Sequence, residues 1–323
     1  MTPREFVLAR KAADCFFLSD RPKVGEMTVV PTGNYAIDNL VIGIGGIPSG
    51  RITEVYGDAS AGKTTLVLHA IAQAQAMGLG AAFVDAEHAL DTTYAQALGV
   101  DLTELVLSQP ECGEEALDFV IEACASEAFG LVVVDSVAAL IPRAELDGEM
   151  DDAQIGLHAR LMSKAMRKVI GAVAKSGTAL VFTNQERSGP TKGYGPAKTT
   201  TGGLALKFYA SLRLDVTNVG QIKEGDQRVG HTAEVVAVKN KLYPPYRKAR
   251  VDLLYGLGYD NASTLIDLAS DYTEAVTKSG NFLTVLGKKC NGRAAAASYV
   301  REDEGVATLL EQSITKAIEG EPA

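Results

Sequence analysis

The sequence predicts an α/β fold. A mainly parallel sheet with helices on both faces carries an antiparallel extension, flanked by a small N-terminal helix and strand and a small C-terminal α/β unit. Three observations predict it. Unbroken apolar runs such as Leu131-Val132-Val133-Val134 stand between helical stretches, the mark of parallel strands covered on both sides. After Thr201 the pattern becomes more antiparallel. The chain has 323 residues, 46% hydrophobic and 22% charged, enough for about two domains with a buried core and a solvated surface.

In chain order, residues 3–18 read as a helix with Phe6, Val7, Ala13 and Phe17 at its apolar positions, and 27–30 as a short strand. Strands are expected over 51–56, 80–85, 104–108, 130–135 and 179–184. Between them fall helices over 62–77, 92–98, 114–126 and 157–174. The antiparallel strands are expected over 205–214, 233–240 and 250–254. Beyond Gly258 the chain reads as a small α/β unit ending in a helix over 305–318. The expected organisation is 1–31, 32–260 and 261–323.

Several classes are excluded by what the chain lacks. Its apolar runs are too short to span a bilayer, and its first residues do not resemble a signal peptide. Cys15, Cys112, Cys124 and Cys290 show no spacing of a disulfide scaffold or zinc site, so a cytoplasmic protein with no membrane partner is expected. The net charge of −9 argues against a chain coated in nucleic acid, yet its distribution is uneven. Between Arg187 and Leu214 lie Arg187, Lys192, Lys198, Lys207 and Arg213 with no acid. The stretch 275–301 is likewise acid-free, whereas 145–152 is densely acidic.

Gly57-Asp58-Ala59-Ser60-Ala61-Gly62-Lys63-Thr64 fits the G-x-x-x-x-G-K-T pattern, between an expected strand and an expected helix. Its glycines let backbone N–H groups turn inward around phosphates at a helix N-terminus. Lys63 can reach the outer phosphates and the Thr64 hydroxyl can ligate Mg²⁺, which makes ATP the expected ligand. Asp135 ends an apolar parallel strand near the sheet's ligand crevice, where it would hold the metal through its waters. Glu87 follows a third strand on the same rim as a candidate base, with His88 a weaker one. Gln185 ends the strand over 179–184, where its amide could sense the terminal phosphate or serve the loop alone.

These residues resemble the RecA family of homologous-recombination ATPases. The likeness runs through Gly45–Ile52, the loop to Thr65, Asp85-Ala86-Glu87-His88-Ala89-Leu90-Asp91 and Val134-Asp135-Ser136. It continues in Ser163-Lys164-Ala165-Met166-Arg167-Lys168, Thr199-Thr200-Thr201-Gly202-Gly203, Ala205–Ser211 and Val238-Lys239-Asn240-Lys241. The resemblance implies a RecA-like P-loop ATPase core binding ATP and Mg²⁺ through Gly57–Thr65, Asp135 and Ser136. It makes Glu87 the carboxylate that activates water, and Tyr94 and Tyr255 the aromatics beside the nucleotide. Gln185 becomes the link between terminal phosphate and DNA loop, and Lys239 and Lys241 cations reaching a neighbour's ATP. Phe208 falls at the subunit interface.

The resemblance also places two DNA loops, over 147–156 and 186–200. Arg160, Arg167 and Arg187 match backbone-contacting cations, and Ser163, Gly202 and Gly203 match phosphate-binding groups. Ile155, Lys192, Tyr194 and Lys198 complete the expected DNA-binding set. The implied activity is a DNA-dependent ATPase that forms helical filaments on single-stranded DNA and exchanges strands with homologous duplex. Repressor and loader proteins are further implied partners. The second loop departs from the family pattern, its apolar wedge reduced to Pro190 and Tyr194. Two alternatives stand beside this reading: a ring motor, against which Lys239, Lys241 and Thr199–Gly203 speak, and a DNA-coating filament without productive exchange, which the altered second loop supports.

Overall fold

The computed structural model describes residues 2, 4–5, 27–149, 156–188 and 198–320. The expected helix over 3–18 lies outside these residues except at Arg4 and Glu5, which are helical. Ile155, Lys192 and Tyr194 also lie outside them, as do the side chains of Arg187 and Lys198.

A two-stranded ribbon, β1 (Val29–Val30) and β2 (Ile47–Pro48), brackets a wide helical turn at Ala36–Ile42 and leads into the main sheet. That sheet has ten strands. Its parallel part contains β3 (Ile52–Gly57), β4 (Ala81–Asp85), β5 (Leu105–Ser108), β6 (Leu131–Asp135) and β7 (Ala179–Ser188). These are ordered β3-β7-β6-β4-β5 in space. The crossovers carry α1 (Lys63–Ala76), α2 (Thr92–Ala97), α3 (Gly113–Ala125), α4 (Arg143–Leu146) and α5 (Leu157–Ser176).

Successive residues of one strand feed opposite cores, because side chains alternate across a sheet. Leu131 and Val133 join α1 in one cluster, whereas Val132 and Val134 join α3 and α5 in the other. This is why the strand is apolar without a break.

The chain after β7 corrects the expected strand over 205–214. Residues Ala205–Tyr209 form a short helix, α6, and the strand begins at Leu212. That strand, β9 (Leu212–Glu224), is parallel to β3, so α6 serves as one more crossover. The antiparallel extension begins at β10 (Gln227–Asn240), which folds back on β9 and pairs onward with β11 (Lys248–Leu254) and β12 (Gly258–Tyr259). A short strand, β8 (Lys198–Thr200), pairs antiparallel with the end of β7, joining Glu186 to Thr200.

A third cluster lies after Tyr259, in α7 (Asn261–Tyr272), α8 (Gly292–Glu302), α9 (Glu304–Glu319) and a sheet of β13 (Val276–Ser279), β14 (Phe282–Val285) and β15 (Lys288–Asn291). Tyr35 enters that cluster, and its hydroxyl shares a 2.6 Å hydrogen bond with Thr315.

Candidate active site

The phosphate loop is shaped by two glycines that admit no side chain. At Gly57, with φ 150°, a Cβ would lie 2.0 Å from the Val216 carbonyl oxygen. At Gly62, with φ 105°, it would lie 2.5 Å from Leu253 and 2.7 Å from the Tyr259 hydroxyl. Helix α1 starts at the next residue. Lys63 Nζ lies across the loop, donating to the carbonyls of Gly57 at 3.1 Å and Asp58 at 2.6 Å. Burial lowers the Lys63 pKa, against the opposing charges of Asp135, Glu87 and Asp58.

Asp135 stands where β6 ends. Its carboxylate accepts from Thr64 Oγ1 at 2.7 Å and from the Thr183 hydroxyl. Desolvation raises its pKa, opposed by those two hydroxyls and by Lys63. A buried carboxylate pinned beside the helix's first hydroxyl is a site that favours a hard cation with oxygen ligands.

Glu87 lies on the loop after β4, and its Oε1 accepts from Ser136 Oγ at 2.5 Å and Gln185 Nε2 at 3.1 Å. One carboxylate oxygen thus gathers the ends of β4 and β6 and the C-terminal half of β7. That strand runs on to Ser188, past the end expected at Asn184, so Gln185 lies within it. Asp85 anchors this loop by accepting from the N–H groups of Ala89 and Leu90 and from Gln109 Nε2. Sequence reasoning passed over Asp85, although a carboxylate at a strand's C-terminal end was the signal already used for Asp135.

On the other side of the loop, Tyr94 and Tyr255 line a cavity of about 240 Å³ with Ser60, Thr65 and His231. Asp91 caps α2 by accepting from the Tyr94 N–H at 3.0 Å, and the Tyr94 ring is held by its hydroxyl, which bonds Thr65 Oγ1 at 2.9 Å. Tyr255 is 54% exposed. Sequence reasoning missed His231 and Tyr259, which reach the Ala61 and Gly62 carbonyls from far along the chain.

Arg160, Ser163 and Arg167 share one face of α5, because positions three and seven apart lie above one another. Arg167 Nη1 lies 3.4 Å from Ser163 Oγ. Gly202 and Gly203 take positive φ and press on α5, where a Cβ at Gly203 would meet Ala159 at 2.9 Å. Phe208, Lys239 and Lys241 form a different group. Lys239 Nζ donates to the carbonyls of Lys207 at 2.8 Å and Phe208 at 2.9 Å, and Phe208 is 67% exposed. In this single chain, therefore, Lys239 caps the C-terminal end of α6, away from its own phosphate loop.

A family model described as the RecA N-terminal domain matches residues 14–260. The chain is 48% identical to protein RecA 1 of Myxococcus xanthus over 301 residues, covering 92% of this chain and 87% of that one. It is 47% identical to protein RecA of Chlorobaculum tepidum over 306 residues, covering 94% and 88%. Among solved structures, the crystal structure of the RadB recombinase aligns with a TM-score of 0.54 at 23% identity, covering 72% of this chain and 98% of that one. That last likeness speaks to fold alone, whereas the sequence matches go further: this chain belongs to the RecA family and is a DNA-dependent ATPase of homologous recombination.

Proposed function

We propose that ATP binds across Gly57–Thr65 between Tyr94 and Tyr255, and that its hydrolysis governs a helical filament of this chain on single-stranded DNA. The observation that carries this reading is the shared Glu87 oxygen, held by Ser136 and by Gln185. Gln185 lies in the strand that continues into the β7–β8 hairpin, at the expected second DNA loop. A group that touches the water-activating carboxylate and also stands at the foot of a DNA loop can link the two ligands.

In this reading Lys63 turns its ammonium from the loop carbonyls to the outer phosphates. Thr64 and Asp135 are the residues that would hold Mg²⁺, which supplies neutralisation of phosphate charge when bound. Their 2.7 Å contact supports the fit. Glu87 takes the proton from the attacking water, and Gln185 reports whether the terminal phosphate is present. Lys239 and Lys241 act in the site of the neighbouring copy, and Phe208 packs on that neighbour. Such cations given in trans make hydrolysis depend on assembly.

DNA is held through its backbone by Arg160, Ser163, Arg167, Arg187, Gly202 and Gly203, so binding is insensitive to sequence and weakened by salt. Residues 1–31 dock on the neighbour, 32–260 form the ATPase core and 261–323 recruit duplex. Repressor and loader proteins are further partners, and the compartment is the cytoplasm. Among the described residues, no helix is long and apolar enough to cross a membrane.

The test is ATP turnover with and without single-stranded DNA, then exchange between circular single strands and linear duplex in the same buffer. Stimulated turnover and joint molecules are expected. Filaments without joint molecules would overturn the exchange step, and closed rings would overturn the filament.

A further inference from the structure

Three buried polar residues join the strands around the centre of the main sheet. Glu54 lies in β3, three residues before Gly57, and stands opposite Arg213 of β9 in parallel register. Arg213 Nε lies 2.5 Å from Glu54 Oε2, and its guanidinium stacks on the Tyr56 ring at 4.5 Å. Asn184, at the C-terminal side of β7, donates from Nδ2 to Glu54 Oε1 at 2.9 Å and to the Thr201 carbonyl at 3.0 Å. Its own Oδ1 accepts from the Gln185 N–H at 2.9 Å. Glu54 and Asn184 are fully buried and Arg213 is nearly so.

Stability is a weak reason for such a cluster. Desolvating a charged pair costs several kcal/mol, and an apolar pair of similar volume often serves as well or better. What a buried pair does supply is fixed registry between the elements it joins, and here each joined element leads to a different function. β3 runs into the phosphate loop. Gln185 touches Glu87. Thr201 follows the β7–β8 hairpin, next to Gly202 and Gly203. Arg213 stands opposite Lys239 on β10.

We infer that Asn184, held in place by the Glu54–Arg213 pair, is a positioning residue that ties Gln185 to the exit of the second DNA loop at Thr201. Occupancy of either ligand site is thereby felt at the other. This rests on the nucleotide and DNA assignments of the proposed function. Coupling of this kind is reciprocal: ATP must strengthen DNA binding by the same factor as DNA strengthens ATP binding.

The experiment measures both factors on the full chain. A labelled single-stranded oligonucleotide is titrated with and without a slowly hydrolysed ATP analogue, and that analogue with and without the oligonucleotide. The parent should give two equal factors in the range of about 5–150. Asn184→Ala should bring both below about twofold while leaving analogue affinity without DNA within about twofold of the parent. A simple structural defect would weaken each ligand separately without abolishing their mutual dependence.

Asn184→Asp keeps the acceptor for the Gln185 N–H and removes the two donated bonds, so it should lose coupling to the same extent. Glu54→Leu combined with Arg213→Met fills the site without buried charge and removes the acceptor for Asn184 Nδ2, so it should stay folded and also lose coupling. Parental coupling in any of these folded variants overturns the inference. Absence of coupling in the parent would instead sink the functional reading on which it rests.

Discussion

The parallel and the antiparallel parts of one sheet are built to opposite rules. Every residue of β3, β4 and β6 is buried, whereas β10 and β11 alternate between buried and accessible positions. A strand covered on both faces has no side chain free for chemistry along its length. Its reactive groups must therefore collect at its C-terminal end, where Asp135, Glu87 and Gln185 converge. A strand with one open face can offer side chains to another molecule along its whole course. Lys239 and Lys241, near the end of β10, belong to that second kind. On the proposed function, the two parts divide chemistry within one chain from contact with the next.

Two phenylalanines give the sharpest contrast between a buried position and one offered to another molecule. Phe182 in β7 is fully buried, and Phe182→Ala should cost about 3–5 kcal/mol of stability in a denaturant titration. Phe208→Ala should change stability by less than about 0.5 kcal/mol and still reduce assembly on DNA, seen by sedimentation. A large stability loss at Phe208 would mean that its exposure in the single chain misrepresents its role.

Lys63→Ala should lower ATP turnover by about 10²–10³-fold, the scale for losing one preorganised charge-stabilising group. Unchanged turnover would move the reaction away from the phosphate loop.

His69 probes the seam between the two parts. It lies in α1 and accepts the Tyr259 N–H of β12 at 3.1 Å, and burial lowers its pKa from 6.5 to about 4. The folded state therefore holds the neutral ring. Its contribution is complete above pH 6.5 and is lost as pH falls from 6.5 through about 4, amounting to about 3 kcal/mol. His69→Gln should flatten that part of the stability–pH curve, and an unchanged slope would refute the assignment.

Lys239→Ala should cost the single chain about 0.5–1.5 kcal/mol, for its bonds to the α6 carbonyls. DNA-stimulated turnover should fall far more. If both changed in proportion, Lys239 would be a helix cap and nothing else.

The sequence was most readable where chemistry is contiguous. The phosphate loop, Asp135 and Glu87 each sit in a short run whose strand or helix neighbours were also recognisable. Partners that reach the loop from distant segments were not readable. Nothing local in His231 or Tyr259 says that the chain returns to the phosphate loop there, nor in Thr183 that its hydroxyl meets Asp135. The direction of β9 failed for a related reason. An apolar run specifies a strand, but only the unforeseen turn of α6 decided that β9 enters parallel to β3. Lys239 was legible as a cation, while its contact with α6 was not.

Tyr259 ends the last strand of the sheet with its hydroxyl 3.3 Å from the Gly62 carbonyl and its backbone on His69. The next residue, Asp260, caps α7 and pairs with Arg301 of α8. The C-terminal unit is thus tied to the core through Arg301–Asp260, Thr264–Asn34 and Thr315–Tyr35. A chain cut before Tyr259 would lose a brace of the nucleotide pocket along with its last three helices. Any shortened version used to isolate the ATPase has to keep that tyrosine and replace the apolar cover that follows it.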